Sequence, residues 1–139
     1  MLGQIESDHR VVIADMEAGL GTLTRMKEDS LDRALLVLNP NLKSIEVARR
    51  AREIIAKRKI TGSTLIVGNR LRGEEDVEQV HAALGDADLV AVPEDPAIRT
   101  ADFQALSPVD AAPHSPAVQE LVALARSWAR PTSRVRPQY

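Results

Sequence analysis

Residues 11–19 read Val-Val-Ile-Ala-Asp-Met-Glu-Ala-Gly, and their reading decides the fold. Val11–Ala14 has the apolar, β-branched character of a buried strand, Asp15 follows at its carboxyl end, and Gly19 comes four residues later. Nucleotide-binding α/β proteins present a carboxylate and backbone amides to a ligand in this way, in the crevice beyond the carboxyl ends of parallel strands. A carboxylate there can hold magnesium through water or orient an attacking water. Gly19 and Gly21 let the backbone approach a phosphate and offer amide donors. The pattern G-x-x-x-x-G-K-[ST] that cradles phosphates does not occur in the chain. The sequence therefore reads as the second half of a nucleotide-binding domain.

Outward from that stretch, three more apolar runs, Ala34–Leu38, Thr64–Val67 and Leu89–Val92, lack polar alternation, as strands covered on both faces do. Helical patterns separate them. Val47, Ala48, Ala51, Ile54 and Ile55 fall on one predicted helical face, with arginines and lysines on the other. A second helix is predicted over Glu74–Leu84, stopped by Gly85. Asp95-Pro96 and Ser115-Pro116 each read as a cap followed by proline in the first turn. The last helix puts Val118, Leu121, Val122, Ala125 and Trp128 on one stripe and ends before Pro131. Strands and helices alternating at this spacing predict an α/β fold, a parallel doubly wound sheet with helices on both faces. The expected domain runs over residues 1–130, with a polar, proline-broken, disordered tail at 131–139.

At 139 residues the chain suits one domain with a real core. Phe103, Trp128 and Tyr139 are its only aromatic residues, so the core must come from Val, Ile, Leu and Ala, and a base-stacking single-strand binder would need more aromatic surface. Without cysteine there is no disulfide, thiolate metal site or cysteine nucleophile. The polar amino terminus does not read as a signal peptide, and no apolar run approaches membrane-spanning length, so a cytoplasmic location is expected. Charge is uneven. Arg49, Arg50, Arg52, Lys57 and Arg58 crowd one segment, while acidic residues dominate after Glu74.

Asn69-Arg70 follows the Thr64–Val67 run. A side-chain amide at a strand end both donates and accepts, so it can pair with a base edge. The guanine-reading pattern Asn-Lys-x-Asp would need Asp where Arg72 stands, which favours adenine. Gly68 and Gly73 have the spacing of a phosphate loop, but Glu74 and Glu75 follow where Lys and Ser or Thr are required. Two carboxylates repel a phosphate, so this is not such a loop. His9, His81 and His114 show no metal-binding spacing, and no nucleophile elbow is present.

Taken in order, DMEAG at 15–19, the strand and NP at 35–40, GNR at 68–70 and PEDPAIRTAD at 93–102 resemble the carboxyl-terminal half of MinD/ParA-like ATPases, and most of all the CooC type that matures carbon-monoxide dehydrogenase. The resemblance runs over most of residues 8–129. It implies a partial P-loop NTPase fold that binds ATP with Mg. In that family the aspartate matched by Asp15 serves the metal, and the glycine matched by Gly19 faces the terminal phosphate. The residue matched by Asn69 contacts adenine beside Arg70, and the stretch matched by Pro93, Glu94 and Asp95 lines the base pocket. The family often dimerises around ATP and uses hydrolysis as a switch or for metallocentre maturation. The nickel-binding Cys-x-Cys of metal-inserting members is missing, which argues against nickel insertion. The tail lacks the apolar face of a MinD membrane helix.

In the fold that the resemblance implies, the phosphate-loop strand lies between the strand carrying Asp15 and the strand Ala34–Leu38. Without it, both lose a neighbour, and either they re-pair or another polypeptide fills the gap. The expected partners are a homodimer or the missing amino-terminal half, with no membrane. The chain then reads as a truncated or split ATP-binding protein, inactive alone. A non-enzymatic module that pairs through exposed strands is the alternative reading, and non-specific DNA binding by the arginine-rich helix is a further one.

Overall fold

The computed structural model describes residues 11–16, 20–85 and 87–128. Parallel strands β1 (Ala34–Leu38), β2 (Thr64–Leu71) and β3 (Leu89–Pro93) form one sheet in the order β1-β2-β3. The short helix α1 (Leu20–Leu23) precedes it. Helices α2 (Leu42–Arg58) and α3 (Glu74–Leu84) make the crossovers that parallel neighbours require. After β3 come α4 (Pro96–Phe103), α5 (Pro108–Ala111) and α6 (Pro116–Trp128). This is the expected α/β architecture, with helices on both faces of the sheet.

Local chemistry sets each boundary. Asn41 caps α2 by accepting from the Ser44 N–H at 2.9 Å, while the Ser44 hydroxyl accepts from the Asn39 N–H. Three acidic residues open α3, where the helix dipole favours negative charge, and Gly85 closes it at φ 67°. Ser115 and Pro116 start α6 as predicted, with the Val118 N–H reaching the Ser115 hydroxyl.

One sheet face carries Leu38 and Ile66, packed with Ile45, Ala48, Val80 and Leu84 of α2 and α3. Leu23 of α1 and Ile55 of α2 extend that core around Ala34 and Ile60. The opposite face carries Val67 and Val92 under Ala117 and Leu124 of α6. The buried core is aliphatic, and Phe103 is 85% exposed. At the far end of α6, the Arg33 guanidinium lies 5.3 Å from the centre of the Trp128 ring and donates to the Trp128 carbonyl.

Four expectations need correction. Residues 11–16 form no regular element, and Ile13 is 86% exposed, so the strand expected at Val11–Ala14 is not formed. A strand exists only beside a neighbour that pairs its backbone groups, and no described residue takes that place. Second, β2 runs past Val67 to Leu71 and takes in Gly68 and Asn69. Third, the buried face of α2 starts at Ile45, while Val47 is exposed. Fourth, α6 buries Ala117 and Val118 most deeply, and Leu121 and Ala125 are exposed because the sheet beneath them is narrow. The expected tail at 131–139 lies outside the described residues.

Candidate functional site

The carboxyl ends of β2 and β3 bring together five of the residues singled out in the sequence. Asn69 pairs in register with Val92 and Leu71 with Pro93, leaving Arg70 as the extra residue of a bulge. Arg70 sits in the left-handed region at φ 61°, an uncommon place for a side-chain-bearing residue. The Glu94 N–H then donates to the Leu71 carbonyl at 2.8 Å, which holds the chain leaving β3 against the end of β2.

The electrostatics of this end are tightly arranged. Glu94 Oε1 lies 3.5 Å from both the Arg70 and the Arg99 guanidinium. Asp95 Oδ1 accepts from the Ala97 N–H at 2.9 Å, and Oδ2 accepts from the Ala117 N–H at 3.2 Å. One carboxylate thus caps α4 and reaches the first turn of α6. The Ala97 N–H, followed by the Ala117 N–H, holds its carboxyl below the usual range despite partial burial. Asn69 is different. Its half-buried side-chain amide makes no hydrogen bond to any described residue, so it is free to meet a ligand.

A clamp that the sequence reading missed steadies this loop. Asp76, 6% exposed, accepts from the Arg72 backbone N–H at 2.8 Å and from its guanidinium at two further points, each 3.0 Å. The bonds from Arg72 hold the Asp76 carboxyl below its ordinary range. The spacing of Arg and Asp four residues apart was the available signal, but it falls across a turn into a helix rather than along one. Gly68 and Gly73, whose spacing imitated a phosphate loop, sit in β2 and at the start of α3.

Of the two remaining predicted residues, one is described. Asp15 is exposed, and no described residue hydrogen-bonds or ion-pairs with it. Gly19 lies outside the described residues. Among the described residues, no cluster of three or more His, Cys, Asp or Glu could hold a metal. The arginines of α2 are occupied. Arg49 pairs with Glu46 and Glu53, Arg50 pairs with Glu46 at 2.7 Å, and Arg52 donates to the Leu84 carbonyl. Arg49, and after it Arg50, hold the Glu46 carboxyl down to about 2. A groove of about 540 Å³ between α2 and α3, lined by Arg52, Ala83 and Gly85, sits by the carboxyl end of α3, away from Asn69. No helix among the described residues is long and apolar enough to cross a membrane.

No family model matches the chain. Over 120 residues it is 32% identical to an uncharacterised ATP-binding protein of Methanocaldococcus jannaschii, an overlap of 83% of this chain and 44% of that protein. Its fold matches the MinC:MinD cell division protein complex of Aquifex aeolicus with a TM-score of 0.59 at 22% identity, over 78% of this chain and 47% of the other. MinD of the same organism alone gives 0.56 at 23%, over 76% and 47%. The chain thus spans less than half the length of these proteins. Within that span it has the α/β fold of a part of MinD and a sequence similar to that of an ATP-binding protein.

Proposed function

We propose that this chain provides the adenine-binding part of a MinD/ParA-like ATP site, and that the phosphate-binding part comes from outside the described residues, in the same or another polypeptide. The observation that carries the reading is the free side-chain amide of Asn69 at the carboxyl end of β2, beside the chain leaving β3. The similarity to an ATP-binding protein supports it. Asn69 holds the base edge, with Arg70, Pro93 and Glu94 as the walls. Asp95 shapes the pocket by capping α4. Asp15 serves Mg through water, and Gly19 approaches the terminal phosphate. In the complete site ATP acts as a switch or drives a maturation step. CooC-like chemistry without a nickel-binding Cys-x-Cys belongs to the switch class.

The chain alone supplies no described cradle for phosphates, since Arg70 and Arg99 both face Glu94. It is accordingly expected to turn over no Mg-ATP. Turnover that Asp15→Ala abolishes would contradict this. Base selectivity is the direct test. With the site completed by the uncovered part of the M. jannaschii protein, calorimetry should show ATP bound at least several-fold tighter than GTP. Guanine's donors find no carboxylate acceptor where Arg72 stands, at a cost of roughly 1–3 kcal/mol. Asn69→Ala should shrink the gap, and equal affinities would place the base pocket elsewhere.

The interaction-module reading has its own support in the outer edge of β1, where no described strand pairs with it. Weak DNA binding by α2 has less, because Arg49 and Arg50 are already paired with carboxylates.

A further inference from the structure

Along a regular strand, residues two apart share a face. The end of β2 breaks that rule at one point. Ile66 packs against α2 and α3, so Gly68 shares that face, while Asn69 pairs with Val92 on the face of α6. Leu71, two residues beyond Asn69, should also face α6. Its side chain instead lies against Gly68, where an added Cβ would meet Leu71 Cδ1 at 2.9 Å. Arg70 produces the switch, because Leu71 rather than Arg70 pairs with Pro93. Leu71 is thereby buried on the side away from Asn69, and Arg70 is left at the strand end to meet Glu94.

This bulged register is strained. Arg70 at φ 61° occupies a region that a side chain with a Cβ disfavours. A regular register, with Arg70 opposite Pro93, would relieve the strain and bring Leu71 onto the face of Asn69. Strain of this kind persists only where the surroundings over-determine it. Here the grip falls on the next residue. Asp76 accepts from the Arg72 N–H and from its guanidinium. Asp76 is the third residue of α3, and a side chain there commonly bonds back to the capping residue, here Gly73. Its carboxylate reaches one residue further, to the chain leaving β2. We propose that Asp76 is a positioning residue for base recognition: by fastening Arg72 to α3 it locks the bulged register, which keeps Leu71 out of the space beside Asn69 and holds Arg70 at its edge. This role rests on the adenine-binding reading, whereas the register itself needs no ligand. Asp76 touches no nucleotide and acts through residues 70–72.

Nuclear magnetic resonance of the full chain tests both parts. Without ligand, the wild type should show contacts between the Leu71 methyls and the Gly68 α-protons. Asp76→Ala should lose them while far-ultraviolet circular dichroism persists. Adding Arg70→Gly should bring them back, because glycine takes a positive φ without cost. An anchor that only stabilised the fold would not be rescued in this way, since glycine weakens a strand. With adenosine as the probe, the Asn69 side-chain amide should shift to saturation in the wild type, and Asp76→Ala should need several-fold more adenosine. Asp76→Asn, which keeps one acceptor, should give a smaller loss in the same direction and decides the matter if the alanine variant does not fold. Val80→Ala weakens the same helix from its buried face and should leave adenosine affinity unchanged. Leu71–Gly68 contacts that survive in the Asp76 variants overturn the proposal. So does a failure of Arg70→Gly to restore them, or an equal loss of affinity in Val80→Ala. An Asn69 amide that adenosine leaves unmoved in the wild type overturns the adenine reading instead, and the ligand-free contacts tell that outcome apart from a failure of the lock.

Discussion

Gly68 shows how a glycine that imitates a phosphate loop has a packing role instead. A Cβ added there would lie 2.9 Å from Cδ1 of Leu71, and the next two nearest atoms also belong to that buried side chain. Gly68→Ala should thus cost about 1–3 kcal/mol in urea unfolding by overpacking, and Leu71→Ala in the same chain should recover part of the loss. Glu46 gives a prediction of the opposite kind, in pH. Arg49 first and then Arg50 hold its carboxyl down to about 2 from an ordinary 4.5. A depressed carboxylate stabilises the fold above its unfolded value and loses that contribution as pH falls through the folded one. Thermal melts should therefore weaken between about pH 4.5 and 2, and Glu46→Gln should flatten that part of the acid limb. At this scale, the position of Asn69 near the carboxyl end of a strand was legible from the apolar run that precedes it. Asp76 was not legible, since its value depends on burial and on a turn that folds Arg72 back onto it.

At the scale of elements, Asp95 joins two helices through one side chain. Asp95→Ala should lower amide exchange protection at both Ala97 and Ala117, one at the start of α4 and the other in the first turn of α6. If Ala97 alone responds, the bond to α6 is not formed in solution. Asp95→Asn keeps an acceptor and should retain the α4 cap. The helices were readable because caps and prolines are local signals: Asp95-Pro96, Ser115-Pro116 and Gly85 act within one turn. The element at Val11–Ala14 was misread for the opposite reason. Its composition is that of a strand, but a strand is a relation between two segments, and composition names only one of them. The same holds for α6, where helical periodicity places Leu121 on the inner stripe and the limited width of the sheet leaves it exposed.

For the whole molecule, two thin cores on opposite faces of a narrow sheet share the burden of stability. Ile66→Ala, on the face covered by α2 and α3, should cost roughly 2–5 kcal/mol by denaturant unfolding, a large part of what a domain of this size possesses. A loss under 1 kcal/mol would mean that this face is loosely packed. One earlier detail gives such experiments an optical handle. Trp128 is the chain's sole tryptophan, and its ring is stacked under the Arg33 guanidinium just ahead of β1. Its emission is therefore a gauge of a single junction, the seat of the last helix beside the leading end of the sheet. Lifting α6 away would hydrate the indole and shift its fluorescence to the red, while loosening confined to α3 would leave the colour unchanged. A red shift that precedes the loss of circular dichroism would identify that junction as the first part of the molecule to open.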